Sequence, residues 1–174
     1  AVLKELRDEG AAILNYAAWP TQFKMGDEGI IGWANCGMET LGAQEATLLV
    51  KELDSGSKIL VLDFVYPHIW VDTVIDTAVE IFEEEGMTVI REDFEAGGEE
   101  LFSRVNSALS LNPDIKAIWT PWDDIGSDCS IVVKDRGLDG EVIVGTTLVS
   151  SKAAMVQIAN PDEPLKVMSA EIGH

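Results

Sequence analysis

Two hydrophobic periods alternate along this chain. Lys58–Phe64 (KILVLDF) and Ile115–Trp119 (IKAIW) are nearly continuous apolar runs. Short runs of this kind suit strands of a parallel sheet covered on both faces. Around them, apolar residues recur every three or four positions. Gly42, Ala46, Leu49, Val50 and Leu53 form one such stripe; Val71, Val74, Ile75, Ala78, Val79 and Phe82 form a second; Leu101, Phe102, Val105, Ala108 and Leu109 form a third. The spacing predicts amphipathic helices over 39–54, from Val71 toward Gly86, and up to Asn112-Pro113. Shorter strands are expected at Ala11–Tyr16, Gly29–Ala34, Met87–Arg91 and Glu141–Gly145, with an extended Leu165–Ala170. Helices are expected at Ile125–Arg136 and 150–159, and residues 1–9 read as a helix stopped by Gly10.

This succession predicts an α/β fold: a doubly wound, mostly parallel sheet with helices on both faces and right-handed crossovers. In such sheets ligands bind beyond the carboxyl ends of the strands. The tract Ile115-Lys-Ala-Ile-Trp-Thr-Pro-Trp-Asp-Asp124 runs from a strand through Pro121 into a helix. It brings Trp119, Trp122, Asp123 and Asp124 to that rim. Indole faces beside carboxylates suit a ligand with both C–H surface and hydroxyl donors, a sugar or polyol. The same residues also suit a structural role, with the tryptophans in the core and the carboxylates capping the next helix.

Charge narrows the choice. Twelve Lys and Arg against 31 Asp and Glu give a net charge of −19. That argues strongly against nucleic acid, whose phosphates need clustered Lys and Arg, and against adhesion to anionic lipid. No apolar run approaches ~20 residues, so no transmembrane helix is expected. Cys36 and Cys129 are expected to be two free, partly buried thiols. The first residue, Ala1, already lies in a helical pattern, which reads as a fragment or processed product.

No catalytic constellation stands out. The serines lie outside any G-x-S-x-G, and His68 is the sole internal histidine, so a Ser-His-Asp site is not expected. Gly29, Gly32 and Gly37 do not make G-x-G-x-x-G. The run Asp123–Asp128 lacks the alternating ligands of a calcium loop, so no metal is expected, and Asp124 and Asp128 are expected to face solvent. Leu60–Pro67 resembles the phospho-accepting strand end of a receiver domain, with Asp63 as acceptor and Lys152 as its lysine. The acidic cluster that holds Mg²⁺ in receivers is missing from the earlier strands.

Four stretches resemble type I periplasmic sugar-binding proteins, whose ligand-binding core is shared by LacI-type regulators. They are Leu6-Arg-Asp-Glu-Gly-Ala-Ala-Ile-Leu14, Trp33-Ala-Asn-Cys-Gly-Met-Glu-Thr-Leu-Gly-Ala43, Asn112-Pro-Asp-Ile-Lys-Ala-Ile-Trp-Thr-Pro-Trp-Asp123 and Gly137-Leu-Asp-Gly-Glu-Val-Ile-Val-Gly145. The resemblance implies the end of a first lobe and its hinge over 1–33, a second ligand-binding lobe over 34–163, and a return crossing over 164–174. It implies a non-enzymatic solute binder without cofactor, periplasmic or extracellular, that delivers a sugar or polyol to an ABC permease or membrane sensor. The effector domain of a LacI-type regulator is the alternative.

Asp123 stands where the family has an Asp that often bonds ligand hydroxyls. The family's Arg is absent from His68–Asp76, and Thr146-Thr147 follow Gly145 where the family often has Asp. The candidate ligand contacts are therefore Asp123, Trp122, Trp119, Thr146, Thr147 and Asn35, with Tyr66, His68 and Trp70 as replacements for the missing clamps.

Overall fold

Ile59, Leu60, Val61 and Leu62 are all fully buried, so the middle of the KILVLDF run needs cover on both sides. The fold supplies it. The computed structural model describes residues 5, 6, 8–16, 30–34, 37–66, 69–95, 97–147 and 151–168. A two-stranded parallel pair, β1 (Ile13–Tyr16) and β2 (Ile30–Ala34), stands apart from the main sheet. Then α1 (Met38–Val50), β3 (Lys58–Phe64), α2 (Ile69–Glu84), β4 (Thr88–Phe94), α3 (Glu99–Leu111), β5 (Ile115–Thr120), α4 (Asp123–Asp135), β6 (Ile143–Thr146), α5 (Lys152–Ile158) and β7 (Leu165–Met168) follow.

The main sheet runs β4-β3-β5-β6-β7, and every pairing in it is parallel. The chain leaves β3 toward one edge to make β4, then returns to the other side of β3 to make β5. The reversal places the topological switch point between the ends of β3 and β5, where doubly wound folds bind ligands.

Alternating side chains divide the core in two. On one face Ile59, Val61, Ala117 and Trp119 pack against the apolar stripes of α1 and α2. On the other Leu60, Leu62, Ile118 and Val144 pack against α3 and α4. The α1–α2 crossing is close: a Cβ on Gly42 would collide with the Val74 carbonyl oxygen.

Several boundaries differ from the sequence reading. α1 stops at Val50, four residues early, because Glu52 and Leu53 turn back onto the Leu49 and Val50 carbonyls, each at 3.1 Å. β4 extends three residues past Arg91 to Phe94. Its charged Glu92 and Asp93 hid it from a hydrophobic reading, yet β4 is an edge strand, where charge is tolerated and blunts edge-to-edge pairing. β6 starts at Ile143 rather than Glu141, since Glu141 and Val142 donate back to the Leu138 carbonyl at 2.9 and 3.0 Å. Residues 169–170 of the expected last strand lie outside the described residues. Cys129 is free as expected, but it is fully buried rather than partly so.

Candidate functional site at the carboxyl rim of the sheet

At the switch point β3 ends in Phe64 and β5 ends in Thr120. Pro121 cannot extend the β5 ladder, and Trp122 takes an extended backbone at φ −157°, ψ 162° before α4 begins. This turn lays the Trp122 indole over the end of the sheet. Its ring centroid is 5.3 Å from Phe64 and 5.3 Å from Phe94, and Phe64 is 5.5 Å from Phe94. Both Phe64 and Trp122 touch the cores on either side of the sheet, so together they close its upper end. Tyr66 leans edge-on against Phe64 at 5.4 Å and is 56% exposed. Of this cluster the sequence reading named Trp122 and Tyr66. Phe64 and Phe94 were missed, although both are aromatic residues at strand ends and could have been found that way.

The polar candidates sit just beneath. Thr120, Thr146 and Thr147 are fully buried. Thr120 Oγ1 donates toward the Trp122 carbonyl at 3.1 Å and pairs with Thr146 Oγ1 at 2.9 Å. Thr147 donates from its hydroxyl to the Pro121 carbonyl and from its backbone N–H to the Thr120 carbonyl. Gly126 lets the first turn of α4 settle onto this cluster, because a Cβ there would stand 2.9 Å from Thr146 Cβ.

Asp123 is at the rim but turned inward. It is only 2% exposed, and its Oδ2 accepts the Ser151 backbone N–H at 2.6 Å, tying the head of α4 to that of α5. Ser151 in turn accepts the Ala154 N–H at 3.1 Å as the N-cap of α5. Asp124 is exposed as expected. Asp128 is not: it is partly buried, and its Oδ2 accepts the Gly98 N–H at 3.1 Å, which fixes the glycine turn before α3. Helical spacing on α4 aims Asp128 at the β4–α3 connection rather than at water.

Trp119 belongs to the core. It is fully buried, meets Phe82 edge-on, and donates its indole N–H to Glu45 Oε2. Glu45 is itself fully buried, with no hydrogen-bond partner for Oε1, and burial raises its pKa well above the ordinary carboxyl range. It lies against Gly145, where any Cβ would meet Oε1. The sequence carried a signal for it, since Glu45 stands four residues from both Leu41 and Leu49, on the apolar stripe of α1. Trp70 is half-buried against the same core. Asn35 and His68 lie outside the described residues.

Asp63, considered as a phosphoacceptor, faces a different partner. Arg91 on the adjacent strand grips both its oxygens, with Nη2–Oδ1 at 2.7 Å, and reaches Asp76 at 3.4 Å. These hydrogen bonds, Asp63 first, raise the arginine's pKa further. A carboxylate held by a fork on both oxygens is not poised as a nucleophile, so the receiver reading is not favoured. Among the described residues no group of His, Cys, Asp or Glu forms a metal site, and no helix is long and apolar enough to cross a membrane.

No protein-family description matches the chain, and no curated protein matches it. Solved structures do. A periplasmic ribose ABC transporter protein from Conexibacter woesei superposes with TM-score 0.76 at 19% identity, over 90% of this chain and 52% of that one. An ABC transporter solute-binding protein from Agrobacterium vitis with bound allitol gives 0.79 at 19%, over 98% and 59%. One from Actinobacillus succinogenes with bound D-allose gives 0.73 at 16%, over 82% and 51%. This chain thus spans between half and three-fifths of their length, and it has the α/β fold of periplasmic sugar-binding proteins.

Proposed function

We propose that this chain provides one wall of a cleft that binds a sugar or polyol, in a non-enzymatic solute-binding protein serving ABC import or sensing outside the cytoplasm. The observation that carries the reading is the aromatic cluster of Phe64, Tyr66, Phe94 and Trp122 at the β3/β5 switch point. An indole fixed by two phenyl rings is a preorganised platform, and preorganisation lowers what binding must pay in ordering. Fold neighbours that hold allitol and D-allose support the ligand class.

Under this reading the second wall comes from another lobe, and closure of the two about a hinge traps the solute. No covalent bond changes. Asp123 then acts at the rim by holding the α4 and α5 heads together beneath the platform. Half of the contacts are absent from this chain, so its own affinity is weak.

The test is a titration of the ¹⁵N-labelled chain with allitol and D-allose, read at the tryptophan indole N–H resonances. The Trp122 signal is expected to move saturably at millimolar ligand, while the core-locked Trp119 signal stays in place. No response at Trp122, or micromolar affinity from this chain alone, would overturn the half-cleft reading.

A further inference from the structure

Glu45 lies beneath the rim, at the middle of α1, fully buried between that helix and the sheet. Its Oε2 accepts the Trp119 indole N–H from β5. Its Oε1 has no hydrogen-bond partner and faces the backbone of Gly145 on β6. Every element packed around it brings an apolar group: Leu49 from α1, Phe82 from α2, Trp119 from β5, Ile143 from β6 and Val167 from β7. The charged side chains of those elements reach water. Glu39, Asp76, Glu80, Glu83, Glu84 and Lys116 are exposed, and Asp72 and Lys166 partly so. Burial alone raises the Glu45 pKa, with no contribution from a neighbouring charge. The core therefore closes over Glu45 as the neutral acid, because the ionised form would have one neutral donor and no counter-charge.

The two helices on this face cover different halves of the sheet. α1 lies over β6 and β7, and α2 lies over β3 and β4. They meet closely at Gly42, just before Glu45 on α1. The stripe that α2 turns to the core is apolar throughout. We propose that Glu45 is a proton-operated latch on half of this layer: neutral, it holds α1 closed over β6 and β7; ionised, it frees α1 while α2 stays seated on β3 and β4. The ionised carboxylate needs water, and lifting α1 about its Gly42 contact reaches water without unfolding the rest. Opening releases one proton to solvent. Closure is thus complete below the open-state pKa of about 4.3, weakens with each pH unit above it, and stops weakening once Glu45 ionises in place.

The test is hydrogen exchange on the ¹⁵N-labelled chain from about pH 5 to about pH 8, below the folded values of other buried glutamates. It is read as protection factors, so that the intrinsic rise of exchange with pH drops out. The Trp119 indole N–H and the α1 amides are expected to lose protection about tenfold per pH unit, the slope of one released proton. Amides of α2 are expected to stay level in the same samples. Glu45→Gln keeps an acceptor for the indole and is expected to flatten the α1 slope.

Level protection in wild-type α1 would overturn the latch. Equal losses in α1 and α2 would overturn it too, because Glu45 would then act only on the whole fold. A slope that persists in Glu45→Gln would assign the proton to another group. Should that variant not fold, the wild-type contrast between α1 and α2 decides, together with a ¹³C titration of the Glu45 carboxyl. A folded midpoint at the ordinary value of about 4.3 would overturn the proposal.

Discussion

At the carboxyl ends of β5 and β6, three threonine hydroxyls are buried and bonded to one another or to backbone carbonyls. At the amino end polar side chains stand in water. The upper end holds three buried threonines and an inward-facing Asp123 under an aromatic lid. The lower end holds Glu52, Asp54, Lys116 and Glu141 around a shallow cavity of about 190 Å³, with Lys58 and Asp114 paired at 2.8 Å in the open. The Lys58 bond lowers the Asp114 pKa. One sheet thus ends in two different ways. Buried hydrogen bonds fix geometry because leaving one unmade is expensive, whereas exposed ion pairs are easily exchanged for water. Only the upper end is built to hold side chains in one arrangement, which is what a recognition surface needs.

Substitutions can break this contrast. Phe94→Ala should be the most damaging, because the ring is fully buried and supports both Phe64 and Trp122; a loss of about 3–5 kcal/mol in denaturant unfolding is expected. A loss below ~1 kcal/mol would mean that the lid is not packed as described. Gly126→Ala drives a methyl into Thr146 and should lower stability by about 1–3 kcal/mol, an overpacking penalty at the heart of the rim.

Glu45→Gln comes third and carries a pH signature. Burial raises the folded pKa, so the stability Glu45 contributes is complete below the unfolded pKa of about 4.3 and is lost as pH rises through the folded value. The glutamine keeps an acceptor for the Trp119 N–H without a charge to bury. The variant should therefore gain on the wild type as pH rises from about 4.3, in thermal unfolding run across pH. A difference that does not change with pH would show that Glu45 is not buried as an acid. The smallest effect belongs to the lower end: Lys58→Ala should leave the unfolding midpoint unresolved from wild type at high salt. A clear loss there would erase the distinction between the two ends.

Much of the architecture was legible in the chain. KILVLDF and IKAIW declared buried parallel strands, and the helical stripes of α1 to α3 declared which faces pack. Their signal is periodicity, which burial writes directly into sequence. β4 was cut short because an edge strand carries charge without penalty. The site was harder. Trp119 and Trp122 are three residues apart with the same chemistry, yet one is bonded to Glu45 inside the core and the other closes the rim. Their difference arises from strand alternation and the break at Pro121, and the depth of Trp119 depends on Glu45 of α1, 74 residues earlier in the chain. The sequence reading places Asp128 in solvent for a related reason: its partner, the Gly98 N–H, lies 30 residues away in sequence. Such contacts leave no local mark.

The sealed position of Cys129 has a practical consequence. Its thiol sits in the core beneath α4, and burial, with Asp128 nearby, pushes its pKa up, so the reactive thiolate is suppressed while the fold is closed. In a chain whose other cysteine, Cys36, is replaced by serine, alkylation at this one sulfur becomes a clock. Its rate counts how often the layer between the sheet and α4 comes apart, and a stabilising solute should slow that count in proportion to its occupancy.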